Sequence, residues 1–175
     1  REPLNDNYYN LLDEDTIAWQ AQIASDHGVY GWCIYHYWFS SDKMILNKPL
    51  EILHNAKKIH FPYCICWANE SWSNAWISKD KPEDFLSQQY EDEAAWRKHF
   101  DYLLQFFSDP DYITEDNKPL MVIYRPETIP ELDKRLDFWN ELAKEHGFDG
   151  LTYAYQQIDF EQQPDKDDSR FKYSI

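Results

Sequence analysis

The sequence predicts an α/β fold, a partial (β/α)8 TIM-type barrel with about four parallel strands present. Three observations carry that expectation. Helix-period and strand-like segments alternate strictly along the 175 residues. The strand-like segments are continuous apolar runs without in/out alternation, as expected of strands covered on both faces. Only four glycines occur, and no G-x-G-x-x-G follows the first strand, which removes the best support for an open dinucleotide-binding sheet.

Asp13, Glu14 and Asp15 supply cap and first-turn acids, and Ile17, Ala21 and Ala24 follow at helical spacing up to Gly28, predicting a first helix near 14–27. The run from Val29 to Tyr35 is the first strand. Leu50, Leu53 and Lys57 share one face of a helix expected over 49–59, and Pro62 to Trp67 is the second strand. Trp96, Phe100, Leu103 and Phe107 step by 4, 3 and 4 before the third strand, Pro119 to Tyr124, so that stripe is assigned to packing. Thr128 and Glu131 have the spacing of a capping box, and Leu132, Leu136, Trp139 and Ala143 form the last stripe before a fourth strand over 151–155.

Two junctions repeat one pattern, His27-Gly28-Val29-Tyr30-Gly31 and His146-Gly147-Phe148-Asp149-Gly150, each with a helix-ending glycine and a second glycine at strand entry. Four strands make half of a barrel that ordinarily needs about 250 residues. The expectation is therefore an incomplete barrel domain over 1–158, followed by a Gln-rich, charged segment over 159–175 that reads as a polar loop or disordered tail.

Composition narrows the partners. A net charge of -15 works against phosphate backbones and anionic lipid, so nucleic acid is excluded as an expected partner. No apolar run approaches the roughly 20 residues that cross a bilayer, and no membrane insertion is expected. Cys33, Cys64 and Cys66 lie in strand-like runs without the second Cys/His cluster a zinc site needs. They read as buried thiols in a reducing, cytoplasmic compartment, with no metal or cofactor.

In a barrel the active site lies at the C-terminal ends of the strands, which here end in Tyr35-His36-Tyr37-Trp38, in Trp67-Ala68-Asn69-Glu70-Ser71-Trp72, in Tyr124-Arg125-Pro126-Glu127 and in Tyr155-Gln156-Gln157. Glu70 is the candidate catalytic acid/base, because cleaving or forming a glycosidic bond needs a carboxyl group at the bridging oxygen and adjacent indoles desolvate such a group. Asn69 suits a sugar hydroxyl or orientation of that acid, and His36 a hydroxyl or a proton. Arg125 suits a carboxylate or phosphate on the ligand, or an ion pair with Glu127 or another rim acid. Trp38, Trp67, Trp72 and Trp76 are candidate stacking platforms, and Tyr35, Tyr37 and Tyr124 complete the expected substrate-binding set.

The segments Tyr8-Tyr9, Gly28 to Trp32, Tyr35 to Phe39, Lys48-Pro49-Leu50, Trp67 to Trp72 and Lys118-Pro119-Leu120 together resemble the WbsX-like family in order and spacing, over roughly residues 7–155. The resemblance implies a barrel related to glycoside hydrolase family 99, a glycosyltransferase label, and a bacterial surface-polysaccharide (O-antigen or capsule) context. It also implies an earlier strand and a later Trp-Asn-Glu-Trp type motif, neither of which occurs here. The related hydrolases use two glutamates close in sequence, whereas the next acid after Glu70 is Asp80. The expected function is thus making or breaking glycosidic bonds on an oligo- or polysaccharide, the second carboxylate coming from the missing barrel half or a second copy, and the isolated piece inactive. A non-catalytic glycan-binding module and a purely structural fragment are the alternatives.

Overall fold

The computed structural model describes residues 2, 6, 8–56, 58–74, 83–157 and 168–175. In chain order these form α1 (Glu14–Asp26), β1 (Trp32–Ser40), β2 (Lys43–Ile45), α2 (Lys48–Asn55), β3 (Tyr63–Trp67), β4 (Trp72–Ser73) and β5 (Asp84–Leu86). There follow α3 (Glu93–Phe107), β6 (Thr114–Glu115), β7 (Lys118–Ile123), α4 (Leu132–Glu145), β8 (Thr152–Tyr155) and β9 (Tyr173–Ser174). The fold is mixed α/β with four helices and a mostly parallel sheet. Its strands run in the order β2-β1-β3-β7-β8-β9, with β6 also paired to β7, while β4 and β5 form a separate two-stranded sheet.

Local chemistry explains the helix ends. Asp13 caps α1 by accepting from the Asp15 amide, and Asp92 caps α3 by accepting from the Ala95 amide, each satisfying an otherwise orphaned N–H. Gly28 and Gly147 follow α1 and α4 at positive φ, 77° and 89°, as the repeated His-Gly junctions predict. The expected capping box at Thr128 and Glu131 does not form. The helix α4 begins at Leu132, so Glu131, left-handed and without a side-chain cap bond, takes the N-cap position and Thr128 lies three residues before it, its hydroxyl donating to the Arg125 carbonyl at 2.8 Å.

Gly31 enters β1 against the chain leading into β3. A Cβ there would stand 2.4 Å from the Pro62 carbonyl oxygen, and the same oxygen accepts from the Trp32 amide at 2.9 Å. The close approach sets the register that follows, Cys33 beside Cys64 and Tyr35 beside Cys66, continued from Cys66 to Val122 and from Val122 to Ala154.

Paired residues in this register point to one side of the sheet and their neighbours to the other. Ile34, Ile65, Met121 and Tyr153 share the side on which the helices pack, as do His36, Trp67 and Ile123. Most of these belong to one continuous core with Phe100, Leu103, Leu136 and Trp139. The opposite side carries Cys33, Tyr35 and Tyr37, so Cys33 is exposed rather than buried as the sequence suggests, while Cys64 and Cys66 are buried.

The first strand also extends further than expected. Tyr35 to Trp38 lie inside β1, held by β3 on one side and by antiparallel β2 on the other, so they are strand residues rather than a loop following a strand. Within the 159–175 segment, Tyr173 and Ser174 pair in parallel with Ala154 and Tyr155. Composition gives no strand signal there. The pairing comes from the partner edge, where Lys172 donates its amide to the Tyr153 carbonyl and Ile175 to that of Tyr155. Among the described residues no helix is long and apolar enough to cross a membrane.

The helix-facing layer contains a buried imidazole pair. His36 and His99 are bonded Nε2 to Nε2 at 3.0 Å, and His99 stacks on Trp38 at 4.4 Å while His36 stacks on Tyr102 at 5.4 Å. One ring must donate and the other accept, so the two hold opposite neutral tautomers. Among the described residues neither Nδ1 has a hydrogen-bond partner. Burial lowers the pKa of His36 to about 3, and burial, then His36 and Arg135, hold His99 well below the ordinary imidazole range.

Because both folded pKa values lie below the unfolded value of about 6.5, the unfolded chain takes up protons first. The stability associated with the neutral pair is complete above about pH 6.5 and falls as pH drops toward 3, by up to about 1.4 kcal/mol per pH unit for each ring. Urea unfolding at pH 7.5, 6.0 and 5.0 should show this fall. In His99→Phe, which retains a ring against Trp38, the slope should drop; an unchanged slope would assign the acid sensitivity to other groups.

Candidate functional site

The C-terminal edge of the parallel strands is organised by Asn69, the second residue after β3. Its side-chain amide donates to the Arg125 carbonyl at 2.7 Å, the Tyr90 hydroxyl at 3.1 Å and the Thr128 hydroxyl at 3.2 Å, and its side-chain oxygen accepts from the Arg125 amide at 2.9 Å. Tyr90 closes the circuit, its hydroxyl lying 2.5 Å from that of Thr128 and 3.2 Å from the Asn69 carbonyl. Asn69 is 1 % exposed. Its hydrogen-bonding capacity is used in joining the end of β3 to the end of β7.

What it orients is an ion-pair cluster. Arg125 donates from Nη1 to Glu70 at 3.0 Å and from Nε to Glu127 at 2.5 Å, with side-chain exposures of 31 % for Arg125, 45 % for Glu70 and 48 % for Glu127. The Glu127 carboxylate raises the Arg125 pKa against the opposing effect of partial burial, and Glu70 adds in the same direction. The arginine is thus paired with two carboxylates of its own chain. Two acids meet at one guanidinium although 57 residues separate them in sequence, which spacing alone does not reveal.

The face beside this cluster is phenolic. Tyr35 donates to Gln156 Oε1 at 2.9 Å and meets Tyr124 edge-on at 6.1 Å, with Tyr37 6.2 Å from Tyr35. Burial raises the pKa of Tyr37 and of Tyr124, with further increases from Tyr35 on Tyr37 and from Glu70 on Tyr124. These hydroxyls remain protonated near neutrality and can both donate and accept. Trp72 packs edge-on against Tyr37 at 5.3 Å and against Phe39 at 5.8 Å, leaving it partly exposed at the margin.

Three expected rim residues turn inward instead. Trp67 is fully buried, donating from its indole to the Trp38 carbonyl at 3.0 Å and packing near Trp139. Trp38 and His36 point into the same helix-facing layer. Strand alternation is the reason: the rim has Tyr35 and Tyr37, so His36 and Trp38 must face the helices. Trp67 therefore gives Glu70 no exposed indole neighbour, and Trp76 lies outside the described residues.

Sequence reading misses Tyr90, which lies in a connecting segment without periodicity, and Arg135, hidden in the α4 stripe. Arg135 is buried among Trp67, Trp96 and Trp139, its guanidinium carbon 4.6 to 5.2 Å from the three ring centroids, and it donates to the Tyr90 carbonyl at 3.4 Å. Burial lowers its pKa to about 10, still leaving it a cation. Among the described residues no group of three or more His, Cys, Asp or Glu is arranged to hold a metal.

The family profile described as Glycosyltransferase WbsX matches residues 1–175. The chain belongs to the WbsX family. It is also similar to the uncharacterized protein WxcX of Xanthomonas campestris pv. campestris, strains B100 and ATCC 33913, at 30 % identity over 160 residues, covering 90 % of this chain and 22 % of each relative. The WbsX-family sequence described here thus spans about a fifth of the length of those curated relatives. No solved structure matches it.

Truncating Asn69 to Ala would strand several of its polar partners. At about 1 to 3 kcal/mol for a buried group left unsatisfied, Asn69→Ala should lose about 2 to 3 kcal/mol in urea unfolding. Asn69→Asp keeps the acceptor toward the Arg125 amide but sets a carboxylate oxygen against the Arg125 carbonyl, and should lose at least as much; a smaller loss would show that the clamp depends mainly on the bond from the Arg125 amide.

Proposed function

We propose that this chain is part of a carbohydrate-active enzyme domain that makes or breaks glycosidic bonds in a bacterial surface polysaccharide. In the complete protein the parallel sheet closes into a (β/α)8 barrel, with the cluster on its C-terminal rim. WbsX family membership supports a carbohydrate role, and one observation carries the choice of chemistry: Glu70 and Glu127 converge on Arg125 beside the exposed Tyr35 and the half-buried Tyr124. Glycosidic chemistry uses two carboxyl groups flanking one bond.

Glu70 is the general acid/base at the bridging oxygen. Glu127 is the second carboxylate, contributed by this chain rather than by another part of the barrel. Arg125 spaces and orients both, and is a positioning residue. Tyr35, Tyr37 and Tyr124 bind sugar hydroxyls and faces, with Trp72 as the marginal platform. Arg125 already carries two carboxylates, which favours a neutral sugar at this position over an acidic one.

A glycan-binding module without turnover is the second reading, favoured by the same open phenolic face. Product formation from the source organism's surface polysaccharide, followed by mass spectrometry with the full-length protein, separates the two. Glu70→Gln and Glu127→Gln should each lower turnover by about 100-fold or more while glycan binding persists. Retained turnover in both variants would move the chemistry away from this cluster, and binding without turnover in the unmodified protein would favour the module.

A further inference from the structure

The open face ends, at the C-terminal edge of the strands, in a side-chain amide whose donors are unused. The parallel ladder runs one residue past β3, β7 and β8, the amides of Ala68, Tyr124 and Gln156 donating to the carbonyls of His36, Trp67 and Ile123 at 3.0 Å each. Tyr35, Cys66, Val122 and Ala154 form one row on the open face, so alternation puts Tyr37, Ala68, Tyr124 and Gln156 in the next and last row. That edge is the one at which a barrel of parallel strands opens to its substrate.

Gln156 reaches back across the face. Its Oε1 accepts from the Tyr35 hydroxyl at 2.9 Å and from the Cys66 thiol at 4.0 Å, although β3 and β7 both lie between β1 and β8 in the sheet. Two donors on one oxygen fix the amide, because its NH2 group has no lone pair for a phenol or thiol proton. The Nε2 hydrogens therefore turn away from Tyr35 and Cys66, and they have no partner among the described residues. Tyr35, whose one proton is committed to Gln156, is 43 % exposed and offers only lone pairs. A donor and an acceptor of fixed polarity thus stand side by side.

We propose that Gln156 is a specificity-determining residue that, together with Tyr35, recognises one sugar hydroxyl, which accepts from Gln156 Nε2 and donates to the Tyr35 oxygen. This role rests on the glycan reading of the carboxylate cluster. Complementarity selects the group. A hydroxyl is donor and acceptor at a single atom. A carboxylate or phosphate oxygen brings only lone pairs and meets those of Tyr35, and a deoxy position leaves both protein groups unpaired. An acetamido group carries its N–H and C=O on opposite sides of a trans amide and engages one of the two at most. The pair adjoins the carboxylates: Tyr124 meets Tyr35 edge-on at 6.1 Å, and Glu70 is near enough to Tyr124 to raise its pKa. The hydroxyl therefore belongs to a sugar unit flanking the bond on which Glu70 acts.

Steady-state conversion of the source organism's surface polysaccharide by the full-length protein tests this, with KM and kcat resolved. Gln156→Glu keeps the acceptor for Tyr35 and loses the donor, Gln156→Met loses both, and Tyr35→Phe removes the other half of the pair. Each should raise KM by about 3- to 10-fold, the worth of one neutral hydrogen bond, with kcat changed by less than about twofold. Because both groups serve one hydroxyl, the double variant of Tyr35→Phe and Gln156→Met should be within about twofold of the worse single variant. Losses that multiply in the double variant, or an unchanged KM in both Gln156 variants, would overturn the assignment. If the unmodified protein binds the polysaccharide without converting it, the same ratios are read from Kd by calorimetry. Turnover abolished in Glu70→Gln beside an unchanged KM in the Gln156 variants would remove the hydroxyl role alone; a full-length protein that neither binds nor converts the polysaccharide would remove the glycan reading with it.

Discussion

The register of the parallel strands is the constraint on which the rest of the structure depends. Once Gly31 lets β1 approach the Pro62 carbonyl and pairs Cys33 with Cys64, the two-residue alternation assigns every later side chain to the helix layer or to the open face. Shifting β1 by one residue would move His36 and Trp38 outward and bury Tyr35 and Tyr37. The core would then lose the Trp38–His99 stack and the open face its phenols. One backbone contact therefore constrains both packing and chemistry.

The edge of the sheet is governed by a different kind of interaction. Apolar burial is non-directional and does not by itself fix how the segments after β3 and β7 lie against each other. Asn69 does so through directional bonds to both the carbonyl and the amide of Arg125. Behind it, Tyr90 connects the clamp to Arg135, a cation held among three indoles without a carboxylate partner among the described residues. The charged cluster of Glu70, Arg125 and Glu127 lies in front of this support, partly exposed. A buried polar network thus positions an accessible ionic one, and the route between them is a short series of hydrogen bonds.

The open face sorts its polar side chains along the strand direction. Thiols occupy positions near the start of β1 and β3, phenols occupy the middle and end of β1 and the end of β7, and carboxylates lie beyond the strand ends. Cys66 and Gln156 form the link, since the Gln156 side-chain oxygen accepts from both Cys66 and Tyr35. The open face is therefore graded in polarity along the strands.

Much of this architecture is legible in the sequence. The helix stripes, caps and helix-ending glycines locate four helices, and the continuous apolar runs locate four parallel strands, because these signals act within a few residues of chain. The segment from Trp67 to Trp72 correctly marks the edge at which Glu70 and Asn69 stand. Sequence does not reveal which tryptophan faces outward, since that depends on where β1 ends, and β2 prolongs its pairing through Ser40. Nor does it reveal that Glu127 joins Glu70 at Arg125, that His36 finds His99, or that Tyr173 finds Ala154. Each of these contacts links residues 19 to 63 positions apart, or joins distant acids through a shared partner, and arises only when register and helix packing bring them together. Local chemistry determined the elements; the long-range register decided which of their side chains meet.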